Sequence, residues 1–262
     1  MFKRSVLILI TAVLLTTGVS FLNAQQSVSR QGQGVDFYFA PLPSFNEMFS
    51  AIDYLEIKDY DLALEKEPFK VDEEVYSVAF ALGATTADAI LATKGRNKER
   101  LNDIAIRMIN YAKFIGLSEE ILKLADELHN MIRTDQWDNL MVSLESYKEQ
   151  VELSLYETRQ YDLFTMMQLG GWTQGLNRTT FLLMNNYQAE KTKIIDQKGI
   201  LNSLLSNLKN VRSDYLKEME YYNTSIELYE MIKDYIYASE TIYSPEIISE
   251  IFTMTEKIKG SF

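Results

Sequence analysis

The sequence predicts an all-α protein: an antiparallel bundle of about seven to nine helices behind an extended aromatic N-terminal segment. Three observations carry this prediction. Apolar residues recur at steps of three and four through most of the chain after residue 44. Helix start and stop residues stand where those runs begin and end. No stretch alternates apolar and polar residues between hairpin turn signals. Composition agrees, because 47% hydrophobic residues among 262 is too many for a disordered chain.

Residues 1–24 read as an export signal, with Lys3 and Arg4 as the positive start and residues 6–15 as an apolar run broken only by Thr11. Gly18, Ser20 and Ala24 form a small-residue exit. Cleavage after Ala24 leaves Gln25 first; cleavage after Ser20 competes. The alternative is an uncleaved anchor over residues 5–22, which barely reaches the length of a bilayer and is weakened by threonines and glycine. No later segment approaches 18 consecutive apolar residues, so no membrane span is expected after signal removal. The expected location is periplasmic or secreted. The absence of cysteine excludes a lipid anchor through that residue, and suits an oxidising compartment.

Residues 25–34 are polar and glycine-containing, a flexible leader. Phe37, Tyr38 and Phe39 precede Pro41 and Pro43, so residues 35–42 are extended. Two roles compete for this strip: pinning the N-terminus across the body, or meeting a partner. Residues 44–262 form a single helical domain. A first helix starts with the capping box Ser44 and Glu47 and carries Phe45, Met48, Phe49, Ile52 and Leu55 on one face. Residues 59–72 are irregular. Further helices are expected over residues 72–94, 97–115 (stopped by Gly116), from a Ser118 cap, 135–169, after Gly171, 199–212, 214–239, and from Pro245 behind a Ser244 cap. Leu82-Gly83 resembles Leu169-Gly170, which makes a duplication into halves 72–158 and 160–258 one reading of the order.

Composition excludes several chemistries. Without cysteine there is no disulfide, zinc-thiolate or iron–sulfur site, and His129 is the sole histidine. Glu-x-x-His pairs and the zincin motif are missing, as are a nucleophile elbow, a phosphate loop and a dinucleotide fingerprint. Asp59-Tyr-Asp61 lacks the glycine and closing glutamate of a calcium loop. No cofactor or metal is called for. A net charge of −11 argues against nucleic acid as partner.

The informative segment is residues 80–91. Gly83, Ala84 and Ala87 line a helix with small side chains, and Gly171 and Gly175 do the same later. Glycine in a helix costs about 1 kcal/mol relative to alanine, so close packing or a ligand must compensate. Asp88 borders this strip and Arg178 lies in the matching region, which makes an Asp88–Arg178 pair the specific expectation. Thr85, Thr86, Trp172 and Gln174 complete the candidate seam. Seven tyrosines (215, 221, 222, 229, 235, 237 and 243) suit half-buried faces or an interface. The sequons at Asn177 and Asn223 matter only in a eukaryotic secretory route. The resulting expectation is an exported, non-enzymatic bundle acting through protein or envelope contacts. The alternative is a small-molecule-binding or sensing domain with a pocket between the helices carrying Gly83 and Gly171.

Overall fold

In the computed structural model, which describes residues 45–57, 59–64, 71–239 and 242–262, the chain folds as an all-α bundle with no strand among the described residues. The export signal, the leader, the aromatic strip and Ser44 of the capping box lie outside the described residues. The helices are α1 (Phe45–Tyr54), α2 (Tyr60–Ala63), α3 (Val75–Lys94), α4 (Lys98–Phe114), α5 (Glu119–Arg133), α6 (Trp137–Glu157) and α7 (Tyr161–Asn185). A 3-10 turn over Ala189–Ile195 leads to α8 (Lys198–Lys209), α9 (Asp214–Glu218), α10 (Glu220–Ala238) and α11 (Pro245–Ser261).

The centre is α3. Every residue from Ser77 to Thr93 is buried, so the helix is enclosed on all sides. By length and composition it could cross a membrane, although its apolar run is interrupted by threonines and Asp88. Here it forms the core of the bundle. Glu74 starts it: one carboxylate oxygen accepts the N–H groups of Tyr76 and Ser77 at 3.0 and 2.9 Å.

Four successive helix ends share one turn. Arg96, Gly116, Asp135 and Arg159 each adopt a positive φ, between 51° and 77°. The residue after each donates its N–H five positions back: Asn97 to Ala92, Leu117 to Ala112, Gln136 to Met131 and Gln160 to Leu155. Each turn reverses the chain, so α3 to α7 run alternately up and down. Only Gly116 lacks the side chain that such a turn strains, and it does stop α4 as expected. Gly95, expected just past α3, keeps an ordinary φ of −75°; Arg96 takes the strained position. Gly95 is needed for space instead, because an added Cβ would come within 2.8 Å of the Tyr60 Cβ.

Three predicted boundaries are corrected. The single helix expected over residues 135–169 is broken at Thr158–Gln160, where nothing but the turn geometry marks a stop. No helix begins after Gly171; α7 runs through Gly170, Gly171 and Gly175 without interruption. The helix expected over residues 214–239 is divided at Met219, whose backbone is extended and whose carbonyl accepts from Asn223 Nδ2 at 3.0 Å. Ser244 and Pro245 open α11 as expected, with Ser244 Oγ accepting from the Ile247 N–H at 3.4 Å.

Replacing Arg96 by glycine keeps the turn and removes the cost of a side chain at φ 51°. The expected result is a gain of about 0.5–1 kcal/mol, read as an unfolding midpoint about 2–4 °C higher.

Candidate functional site

The predicted seam is the crossing of α3 and α7. An added Cβ on Gly83 would lie 1.8 Å from the Met167 carbonyl oxygen and 2.8 Å from the Gly171 nitrogen. One on Gly170 would lie 1.8 Å from the Phe80 carbonyl oxygen. Each glycine thus sits on the carbonyl three residues before the other. Further along, Gln174 Nε2 donates to Asp88 Oδ1 at 2.7 Å. Contacts advance together along both helices, so this pair runs in the same direction. The closure relies on Gly83, Gly170 and the backbone of Gly171. Gly175 has nothing within 4 Å of a built Cβ and takes no part.

The other predicted residues divide. Thr85 is buried, and Thr86 is buried with its hydroxyl donating to the Leu82 carbonyl at 2.8 Å. Asp88 and Arg178 are 9% and 8% exposed, so both lie in the interior; Gln174, the Asp88 partner, stands one turn before Arg178 on α7. Arg178 Nε donates to Asn177 Oδ1 at 2.7 Å, its Nη2 lies 3.6 Å from Glu256 Oε1, and its guanidinium covers the Phe181 ring at 5.2 Å. Trp172 falls on the half-buried side of α7 with Gly175, Leu176 and Thr179, away from the enclosed crossing.

Several interior residues were not anticipated. Asn177 is fully buried; its Nδ2 donates to Thr255 Oγ1 at 3.0 Å and Glu256 Oε1 at 2.6 Å. Its Oδ1 also accepts from Lys259 Nζ at 3.4 Å. Asn207 Nδ2 donates to Gln168 Oε1 at 3.3 Å, and the Thr173 and Tyr229 hydroxyls share a hydrogen bond of 2.9 Å. A usable signal existed: residues 163–177 carry no charge yet include Thr165, Gln168, Thr173, Gln174 and Asn177. Uncharged polar residues in a central helix need partners on its neighbours. Burial also removes Asn177 from any glycosylating enzyme in the folded state.

Of the seven C-terminal tyrosines, 221, 222, 229 and 243 are buried, 235 is half-buried, and 215 and 237 are exposed. The buried hydroxyls find acceptors: Tyr221 on Glu74 at 2.8 Å and Tyr222 on the Leu208 carbonyl at 2.6 Å. Burial pushes the hydroxyls of Tyr147, Tyr221, Tyr229 and Tyr243 above the ordinary tyrosine range; Glu74 adds to this at Tyr221 and Asp196 at Tyr243. His129 is half-buried on α5. Asp59 serves as a cap, accepting from the Leu62 N–H at 3.2 Å, and Asp61 accepts from Asn97 Nδ2.

Two cavities lie elsewhere. An apolar void of about 10 Å³ sits between α4, α5 and α6, walled by Leu101, Ile104, Met108, Leu128, Ile132 and Leu144. A surface cleft of about 240 Å³ opens where α6 turns into α7, beside the loop that follows α8. No known protein family, curated protein or solved structure matches the chain.

Two outcomes follow for stability. Gly83→Ala and Gly170→Ala force the helices apart and each cost about 3 kcal/mol or more, whereas Gly175→Ala is neutral or gains up to about 1 kcal/mol; urea melts of the three variants check this. The second concerns pH. The fold keeps Tyr147, Tyr221, Tyr229 and Tyr243 protonated, while the unfolded chain releases those protons near pH 10. Their contribution is complete below about pH 10 and declines as pH rises further, so the melting temperature falls there and ultraviolet titration shows these tyrosines ionising only with unfolding.

Proposed function

We propose that the mature chain is an exported, non-enzymatic helical bundle that works through protein or envelope contacts on its surface. The observation that carries this reading is where the polar chemistry lies. Asp88, Gln174, Asn177, Arg178 and Lys259 are each no more than 9% exposed, and they are engaged with neighbouring helices instead of lining an open cleft. Groups held in this way stabilise an interior and have no access to a substrate. Outward apolar side chains offer contact area: Val142, 73% exposed, and Leu153 lie on one line of α6, and Phe114 projects from α4. The rival reading, a pocket between the helices carrying Gly83 and Gly171, is weakened because one added carbon at Gly83 already meets backbone. The N-terminal signal pattern supports export.

The test uses the full chain in cells that export it. A photo-crosslinking side chain at position 142 is expected to give a discrete adduct, absent when the same group replaces the buried Leu144. N-terminal sequencing of the processed protein is expected to begin at Gln25. A stoichiometric small molecule released from the purified protein in native mass spectrometry, with no adduct from position 142, would overturn the proposal.

A further inference from the structure

The surface cleft is lined by Tyr76, Arg159, Gln160, Tyr161, Asp162 and Arg212, with Leu163 as an apolar contribution. Arg159 occupies the left-handed position of the α6–α7 turn, and Arg212 comes from the loop that follows α8. Both are exposed, and neither guanidinium joins an ion pair among the described residues. In a chain with 37 acidic and 26 basic residues, two cations flanking one cleft without a carboxylate partner stand out. Arg212 lies over the Tyr161 ring at 5.3 Å, which orients it without neutralising it. Asp162, on the same cleft, forms no ion pair with it. Its carboxylate accepts the backbone N–H groups of Arg212 at 3.1 Å and Ser213 at 2.8 Å, and so holds the loop in place. Aromatic surface extends beyond the opening, with Tyr156 5.7 Å from Tyr161 and Tyr215 6.5 Å from Tyr76.

We propose that this cleft binds a carboxylate carried on a flat ring, the carboxylate held between Arg159 and Arg212 and the ring against Tyr76 and Tyr161. Guanidinium groups match a carboxylate with paired N–H donors. Asp162 in the wall disfavours a doubly charged phosphate more than a singly charged carboxylate. A volume of about 240 Å³ is below that of drug-sized pockets, which fits a ligand of about a dozen heavy atoms. Two sources offer this chemistry: a free aryl carboxylic acid, or an aromatic residue at the C-terminus of a peptide. The proposal goes beyond the contact function above and does not depend on it.

Calorimetric titration of the mature chain tests it with four probes: phenylacetate, phenylacetamide, inorganic phosphate, and acetyl-glycyl-phenylalanine with a free C-terminus. Phenylacetate or the peptide acid is expected to bind with a Kd of about 0.1–1 mM, the amide not to bind, and phosphate not to compete. Binding by phenylacetate alone identifies a small-molecule site, and binding by the peptide identifies a chain terminus; either supports the carboxylate reading. Arg159→Gly is expected to weaken binding at least about tenfold while leaving the melting temperature unchanged or higher, because glycine suits a φ of 60°. Arg212→Ala is expected to weaken binding similarly, since the backbone N–H held by Asp162 remains. The proposal is overturned if neither acid binds at about 10 mM, if the amide binds as well as the acid, if phosphate displaces phenylacetate at equal concentration, or if binding survives both substitutions.

Discussion

The backbone contact between α3 and α7 is the constraint on which the bundle rests. Two helices approach closely only where side chains are missing, and here the approach is reciprocal: Gly83 on the Met167 carbonyl, Gly170 on the Phe80 carbonyl. The same offset along the chain relates both pairs, so the crossing has a local two-fold character. Close approach carries Phe80, Leu82, Met166, Met167 and Leu169 into the interior, where each is 2% exposed or less. Burial of side chains of this size contributes about 1.5–3 kcal/mol apiece, more than the helical glycines cost. α4 packs on α3, and α11 packs on α7, so the remaining helices inherit their positions from this pair.

Direction and register come from a second device on α7. Four of its polar side chains reach four different helices: Gln174 to Asp88 on α3, Gln168 to Asn207 on α8, Thr173 to Tyr229 on α10, and Asn177 to Thr255 on α11. Each bond is worth only about 1 kcal/mol net, but a buried partner left unsatisfied costs about 1–3 kcal/mol. Sliding or rotating any of these helices would orphan a buried group. Apolar packing therefore sets how tightly the bundle closes, and this polar set selects one arrangement among those that close equally well.

Acidic residues do structural work at the ends of helices. Glu74 caps α3 and accepts the Tyr221 hydroxyl from α10, joining two parts of the chain far apart in sequence. Asp162 joins the start of α7 to the loop after α8. Arg159 and Arg212 stand exposed on the cleft beside that loop.

How much was legible follows from the range of each interaction. The helical class, the Ser244–Pro245 start of α11 and the Gly116 stop are local patterns, and sequence alone determined them; the small-residue strip of α3 was legible too, but its reciprocal glycine on α7 is Gly170, where Gly171 was expected. Asp88 and Gln174 were placed at that seam because a polar group beside small residues has few alternatives to a partner across the crossing. The breaks at Arg159 and Met219 carry no local mark: an arginine and a methionine are ordinary helix residues, and only packing of the reversed chain makes a turn there worth its strain. The separation of Trp172 and Gly175 from the enclosed face, and the placing of Arg159 and Arg212 on one cleft, depend on which side of α7 its neighbours cover. That choice is made by contacts between residues dozens of positions apart, and such contacts exist only once the chain has folded.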